Sequence, residues 1–170
     1  MNDPPAAVDS PALSGGCLCG QIRYRTTSPV RDGYWCHCRM CQLAFGSVAA
    51  PFINVESASV DWLAEPAWYA SSRFAERAFC ARCGTPLAFR YLDSDRIDLS
   101  VGSLDEPGKI APTSHFAVES RVPGWELGPG LEEARLDAEA RLAERWKGAY
   151  GDAVTPGPDA ARGPDQAPRT

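Results

Sequence analysis

The residues with the clearest chemical meaning in this chain are its seven cysteines. They fall into three short groups, and the chain has no cysteine outside them: Cys17-Leu18-Cys19, Cys36-His37-Cys38-Arg39-Met40-Cys41 and Cys80-Ala81-Arg82-Cys83. Four thiolates close a tetrahedral zinc site, whereas three leave one position open for water or a substrate. Seven cysteines therefore predict two zinc ions, a structural one in a closed site and a catalytic one in an open site.

Glycines indicate how the cysteines divide between the two sites. The first and third groups are followed directly by Gly20 and Gly84. A glycine at that position lets the chain turn through positive φ, so that backbone N–H groups can point at the sulfurs. The group at 36–41 has no such glycine and continues into residues 42–45, which are typical of a short helical turn. The pattern predicts a closed site formed by Cys17, Cys19, Cys80 and Cys83, and an open site formed by Cys36, Cys38 and Cys41.

Three other interpretations of the cysteines stay open. Disulfides are one, although an odd count leaves one thiol over and Cys-x-Cys partners are poorly placed to bridge each other. An iron–sulfur cluster is another, although the spacing matches neither ferredoxin pattern. The third is a second zinc that is purely structural and is completed by His37 or a distant side chain.

Composition and charge narrow the class of protein. The chain has 170 residues, enough for one domain with tails, and a formal net charge of −5 with no run of basic residues. This balance predicts that nucleic acid is not a partner. The first residues lack the basic and apolar segments of a leader, and no stretch approaches the roughly 18 apolar residues that span a bilayer, so no membrane partner is expected. Clustered free thiols predict a reducing, cytoplasmic location, and self-association into a homo-oligomer stays open.

The segments between the cysteine groups alternate apolar and polar residues with the period of half-buried strands. They are short and are separated by Pro, Gly, Asp and Ser, which is typical of an all-β domain. The predicted strands cover residues 21–26, 48–54, 59–63, 68–71, 77–80, 87–91 and 96–101.

The pattern changes toward the C-terminus. Apolar residues spaced three or four apart along 131–147 indicate a helix, which we place within residues 128–147. The composition of residues 148–170, rich in Gly, Pro, Ala and Asp, predicts a disordered tail, and residues 1–13 are interpreted in the same way. The domain that carries the zinc sites is therefore predicted to span residues 14–127.

Four motifs in this order resemble one known family. They are Gly16-Cys17-Leu18-Cys19-Gly20, the group at 36–41, Phe79-Cys80-Ala81-Arg82-Cys83-Gly84-Thr85-Pro86-Leu87 and Gly102-Ser103-Leu104-Asp105. Together they are similar to the glutathione-dependent formaldehyde-activating enzyme family, whose domain also occurs in centromere protein V. The resemblance covers roughly residues 14–125 and includes all seven cysteines.

The resemblance implies an all-β, zinc-bound fold of the Mss4-like kind, here with a C-terminal helix and disordered tails. It also implies a carbon–sulfur lyase that interconverts S-hydroxymethylglutathione with glutathione and formaldehyde, so glutathione is the expected small-molecule partner. It assigns structural ligands to the first and third cysteine groups and catalytic ligands to the second. A lyase for a different thiol and a non-catalytic zinc-binding module are the alternatives.

Two histidines are candidates for moving the proton of the hydroxymethyl oxygen. His37 lies between two predicted ligands and is therefore close to the metal by covalent geometry. His115 lies in a segment, 113–116, that resembles a recurring part of the family. Both are predicted as catalytic residues. The plainer interpretation of His37 is a side chain that faces solvent or supports the ligands, and that of His115 is a satisfied strand histidine.

Overall fold

The computed structural model describes residues 12–151 and folds them into eleven β-strands and two α-helices. The strands are β1 (Leu13–Gly16), β2 (Arg23–Thr26), β3 (Asp32–Cys36), β4 (Ala50–Glu56), β5 (Val60–Trp62), β6 (Ala67–Ser72), β7 (Ala75–Phe79), β8 (Pro86–Tyr91), β9 (Arg96–Ser100), β10 (Ala111–Phe116) and β11 (Glu132–Ala134). The helices are α1 (Arg39–Phe45) and α2 (Ala140–Tyr150).

The strands form two sheets. The smaller sheet has three antiparallel strands in the order β1-β2-β5. The larger sheet has eight strands in the order β11-β10-β3-β4-β9-β8-β7-β6. Its pairs are antiparallel except at one edge, where β10 runs parallel to both β3 and β11.

The main core lies between the two sheets. Ile53, Leu87 and Leu99 of the large sheet are fully buried there together with Tyr24 of the small sheet. The Tyr24 hydroxyl is paired with the Ser103 hydroxyl at 2.7 Å, so this buried polar atom is satisfied. Because side chains alternate along a strand, the neighbouring residues point to the opposite face of the large sheet, which carries a second, smaller cluster of aromatic and cysteine side chains.

The prediction of a mainly β fold with a C-terminal helix is confirmed, and each of the seven predicted strands is present within a few residues. Four strands were not predicted: β1, β3, β10 and β11. Glycine or proline hides the alternation in three of them, because β1 contains Gly15 and Gly16, β3 contains Gly33, and β10 contains Pro112. The fourth, β11, is only three residues long and fully exposed, so it has no apolar face to recognise.

The C-terminal helix begins later than predicted. It was placed within 128–147, but residues 132–134 form β11, which pairs with β10, and the helix begins at Ala140 with the Glu139 side chain accepting a hydrogen bond from the Arg141 N–H. Pairing with an exposed sheet edge satisfies backbone groups that a longer helix would have satisfied internally. The helix ends at Tyr150, because Gly151 adopts φ of 75° and donates its N–H to the Lys147 carbonyl. Trp146 and Tyr150 both pack on Phe74.

The predicted disordered tails, 1–13 and 148–170, lie outside the described residues except for their inner ends. Leu13 is buried in β1 and residues 148–150 belong to α2, so these inner ends differ from the prediction. Among residues 12–151 no helix has the length and apolar character needed to cross a membrane.

Candidate metal centres

The first and third cysteine groups meet at one site. The four sulfurs of Cys17, Cys19, Cys80 and Cys83 lie within 4.8 Å of one another, with 3.5 Å between Cys17 and Cys19 and 3.7 Å between Cys19 and Cys80. Sulfurs at about 2.3 Å from a tetrahedral zinc are about 3.8 Å apart, whereas a disulfide bond is about 2.05 Å long. The four side chains therefore fit a closed zinc site and do not form disulfides.

The loops that carry these four cysteines have the expected turn geometry. Gly20 and Gly84 both adopt φ of 76°, a conformation that glycine tolerates at little cost, and their N–H groups donate to the carbonyls of Cys17 and Cys80. The Ile22 N–H points at the Cys17 sulfur at 3.2 Å. Hydrogen bonds from the Thr85 hydroxyl and N–H lower the pKa of Cys83 to about 5, which favours the thiolate that a metal needs.

The second cysteine group forms a separate cluster of three. Cys36 ends β3, Cys38 is the N-cap of α1 and Cys41 lies in its first turn, so a strand end and a short helix bring the sulfurs within 4.8 Å of one another. The Cys41 N–H donates to the Cys38 sulfur at 3.4 Å. This cluster has three cysteines where the other has four, and it fits a zinc site with one position left for another ligand.

A buried arginine lies against the cluster of three. Arg77 of β7 is only 9% exposed and its Nη2 donates to the Cys41 sulfur at 3.4 Å. Hydrogen bonds from the Cys36 and Cys38 thiols, joined by the charge of Arg77, hold the pKa of Cys41 well below its usual range. The guanidinium stacks on the Phe89 ring at 4.8 Å, and its Nη1 is buried without a hydrogen-bond partner among the described residues. Arg77 thus places positive charge beside three cysteines that a metal would bind as thiolates.

A cavity of about 630 Å³ opens next to the three cysteines. Cys36, Cys38 and Cys41 all line it, and none of the four cysteines of the other cluster does. Its floor is the face of the large sheet that points away from the main core, and α2 with β11 forms part of its wall. Small-molecule sites usually enclose about 300–1,000 Å³, so the cavity has room for a metabolite whose sulfur could reach the cluster.

The structure brings the two predicted catalytic histidines together. His37 Nε2 and His115 Nδ1 are 2.9 Å apart, and His115 Nε2 is 3.1 Å from the Gly128 carbonyl oxygen. Both side chains are buried, and burial lowers the pKa of His37 to about 4, with help from His115 and Arg121. His115 lines the cavity whereas His37 does not. The catalytic role of the pair stays a prediction. Its hydrogen bonds connect His37, which follows β3, through His115 of β10 to Gly128.

The comparisons with known proteins agree with this site. The family model described as glutathione-dependent formaldehyde-activating enzyme matches residues 12–120, which include both cysteine clusters. The chain belongs to the glutathione-dependent formaldehyde-activating enzyme family.

Two individual proteins are similar to parts of the chain. An uncharacterized lyase of Schizosaccharomyces pombe is 37% identical over 81 residues, which are 48% of this chain and 59% of that protein. A Rhodobacter sphaeroides protein of known crystal structure is 16% identical with a TM-score of 0.45, over 71% of this chain and 98% of that one.

The family model matches the chain only as far as residue 120, whereas residues beyond 120 also line the cavity. Its lining continues with β11 and α2, where Leu142 and Trp146 are buried and Arg145 stacks on the Tyr91 ring at 3.9 Å. The segment beyond the family domain therefore completes the wall of the cavity beside the family's second cysteine group.

Sequence reasoning missed several side chains on the cavity floor. Tyr34, Asn54, Arg77 and Asp98 lie on it, and none of the four was predicted as a site residue. The sequence carries no signal for Asp98, because Ile97-Asp98-Leu99 alternates apolar and polar residues as a half-buried strand does, and this pattern predicts an exposed carboxyl group.

Proposed function

We propose that the protein is a zinc-dependent carbon–sulfur lyase that acts on a thiol–aldehyde adduct, and that its reaction interconverts S-hydroxymethylglutathione with glutathione and formaldehyde. One observation carries this proposal: the cluster of three cysteines lines a cavity of metabolite size, whereas the cluster of four does not. A structural zinc site is closed by four protein ligands and needs no access to a cavity, whereas a catalytic site must be reached by its substrate. Membership in the family and a relative named as a lyase support the same class of reaction.

Each cluster is proposed to hold one zinc ion. Cys17, Cys19, Cys80 and Cys83 would hold the structural ion, and Cys36, Cys38 and Cys41 the catalytic one. The catalytic zinc, when bound, would supply a fourth coordination position at which an incoming thiol loses its proton.

The residues around the cavity suit this task. Arg77 places its positive charge against Cys41, which offsets part of the negative charge of three thiolates and a substrate sulfur. The lining includes arginines such as Arg39 and Arg141 and acidic residues such as Glu132 and Glu139. Glutathione carries carboxylates at both ends and an ammonium group, so a rim of mixed charge suits it better than a rim of one sign.

The alternatives weighed from the sequence are separable. A lyase for another thiol would use the same cluster of three cysteines, and only the contacts between the substrate and the charged residues at the rim of the cavity would differ. A non-catalytic zinc module is disfavoured by the cavity. The chemistry of the clusters also requires reduced thiols, so we place the protein in a reducing compartment, the cytoplasm.

Exchange spectroscopy by NMR on a mixture of glutathione and formaldehyde tests the proposal. The adduct forms spontaneously, so only acceleration counts. We expect the exchange rate to rise in proportion to the concentration of zinc-loaded protein and to return to background when a chelator removes the metal. An unchanged rate at full zinc loading would rule out this pair of substrates, and the same measurement with other small thiols would then decide between the two lyase alternatives.

A further inference from the structure

A buried carboxyl group lies on the floor of the cavity. Asp98 is in the middle of β9 with 6% of its surface exposed, and it lines the cavity. Its chain neighbours Ile97 and Leu99 point into the core between the sheets, so the alternation of the strand turns Asp98 to the cavity face. Asp98 is directly opposite Asn54 on the neighbouring strand β4 and directly opposite Phe89 on the other neighbour, β8.

The donors to this carboxyl group are neutral. Asn54 Nδ2 donates to it at 2.8 Å, and the Tyr34 hydroxyl of β3 also donates to it. The guanidinium on its own strand, Arg96, donates to the Asn54 carbonyl at 2.7 Å and to the Asn54 side-chain oxygen. Asp98 is therefore oriented by hydrogen bonds while it keeps the ability to take up or release a proton.

Burial raises the pKa of Asp98 to about 6. The hydrogen bonds from Asn54 and Tyr34 oppose this shift, the charge of Cys41 adds to it and Arg96 opposes it. Ionisable groups from the other elements around the cavity also line it, and Arg145 stacks on the Tyr91 ring. They are Cys36, Cys38 and Cys41 of the cluster of three, Arg39 of α1, Arg77 of β7, Tyr91 of β8, Asp93 and Asp95 of the turn before β9, His115 of β10, Glu132 of β11, and Glu139, Arg141 and Arg145 at α2. A carboxyl group with a pKa near the operating pH exchanges protons efficiently.

We propose that Asp98 is the acid–base residue of this cavity, an inference that rests on the proposed function. In adduct formation its carboxylate takes the proton of the substrate thiol, the sulfur attacks the carbonyl carbon of formaldehyde, and the carboxylic acid returns that proton to the oxygen. One S–H bond and the C=O π bond break, one C–S and one O–H bond form, and Asp98 ends in its starting state. Cleavage of the adduct runs through the same steps in reverse.

The geometry favours Asp98 over the two histidines for this role. His37 and His115 are hydrogen-bonded to each other and His115 also pairs with the Gly128 carbonyl, so three of their four ring nitrogens are already engaged. His37 does not reach the cavity. Asp98 of β9 lines the cavity together with Cys36 of β3, and the hydroxyl of Tyr34, two residues before Cys36, donates to Asp98.

The first test replaces Asp98 with asparagine, which keeps the size and the contact with Tyr34 but cannot carry the proton. In zinc-loaded protein we expect the accelerated exchange of glutathione with formaldehyde to fall by about 100-fold, the low end of the usual contribution of general acid–base catalysis. We also expect the rate inflection near pH 6 to disappear while zinc content and melting temperature stay close to wild type. Asp61→Asn, the same change on an exposed strand of the small sheet, is the matched control and should retain the rate and the inflection.

A second variant keeps the test valid if Asp98→Asn does not fold. Tyr34→Phe retains the aromatic ring that packs on Phe52 and removes a donor that stabilises the ionised Asp98. We therefore expect the inflection to move to higher pH. An inflection that stays in place would contradict the assignment.

A readout without substrate separates this inference from the proposed function. Infrared difference spectra of the zinc-loaded protein should show the carbonyl stretch of a protonated carboxyl group that titrates near pH 6 in wild type and in Asp61→Asn, and is absent in Asp98→Asn. Absence of this band in wild type would overturn the assignment, as would full activity of Asp98→Asn. Loss of the inflection in His115→Gln with Asp98→Asn active would give the role to His115. If wild type accelerates nothing, the proposed function fails and this role for Asp98 fails with it, even if the band is present.

Discussion

Replacing Cys80 with serine is expected to unfold the protein. Cys17 and Cys19 lie between β1 and β2 of the small sheet, and Cys80 and Cys83 lie between β7 and β8 of the large sheet, so the cluster of four joins the two sheets. Structural zinc contributes about 10–16 kcal/mol in small domains, which is as large as the whole stability of a typical domain, about 5–15 kcal/mol. We expect the variant to lose about 5 kcal/mol or more and its cooperative thermal transition, as followed by circular dichroism.

A substitution to serine two residues earlier in the chain provides the matched control for this variant. Ala78 lies on β7, two residues before Cys80, and is buried as Cys80 is, so Ala78→Ser adds a hydroxyl group without removing a ligand. It should cost about 1–3 kcal/mol, the penalty of burying one polar group, and should keep its zinc. A Cys80→Ser protein that melts like wild type would show that the cluster of four does not hold the fold.

Replacing Cys38 with serine is expected to abolish turnover and leave the fold intact. Cys38 lines the cavity and is the N-cap of α1, where its sulfur accepts a hydrogen bond from the Cys41 N–H. Serine is one of the preferred N-cap residues, so the helix should persist and the free energy of unfolding should change by no more than about 1–2 kcal/mol. The substitution nevertheless removes one of the three proposed ligands of the catalytic zinc. NMR exchange between glutathione and formaldehyde should fall to the uncatalysed rate.

Two other outcomes for Cys38→Ser would count against this account. If the variant exchanges like wild type, the cluster of three does not carry the reaction. If it loses its cooperative transition as Cys80→Ser is expected to do, both clusters are structural and the open site does not exist. The zinc content, measured by elemental analysis, distinguishes these cases further. Cys38→Ser should bind about one zinc ion per chain, because only the cluster of three is affected.

The sequence predicted well what depends on local spacing. Cysteines two or three residues apart must lie near each other, and Gly20 and Gly84 turn the chain as expected, so the division into four and three sulfurs agrees with the structure. Strands with clear alternation, such as β2 and β9, were also predicted. For the turns and strands a few adjacent residues are enough to determine the geometry, whereas the meeting of the first and third cysteine groups was inferred from the glycine that follows each.

The parts that were missed depend on contacts between distant segments. Arg77 reaches Cys41 only because β7 lies near α1 in the folded sheet, and Asp98 meets Tyr34 across β4. The predicted helix started too early in the sequence, because residues 132–134 pair with β10, about 20 residues away. Local propensity does not reveal such a pairing. The histidines were chosen for their place in the chain, whereas their contacts depend on the parallel pairing of β3 and β10.

The most direct test of the central claim, that one cluster is closed and the other is open to a substrate thiol, is zinc K-edge X-ray absorption on the protein with two zinc ions bound. Seven thiolates shared by two ions give an average of about 3.5 sulfurs per zinc. Addition of glutathione should raise this average to about 4 in wild type, because a substrate sulfur completes the open site. An average that does not change with glutathione would contradict the account.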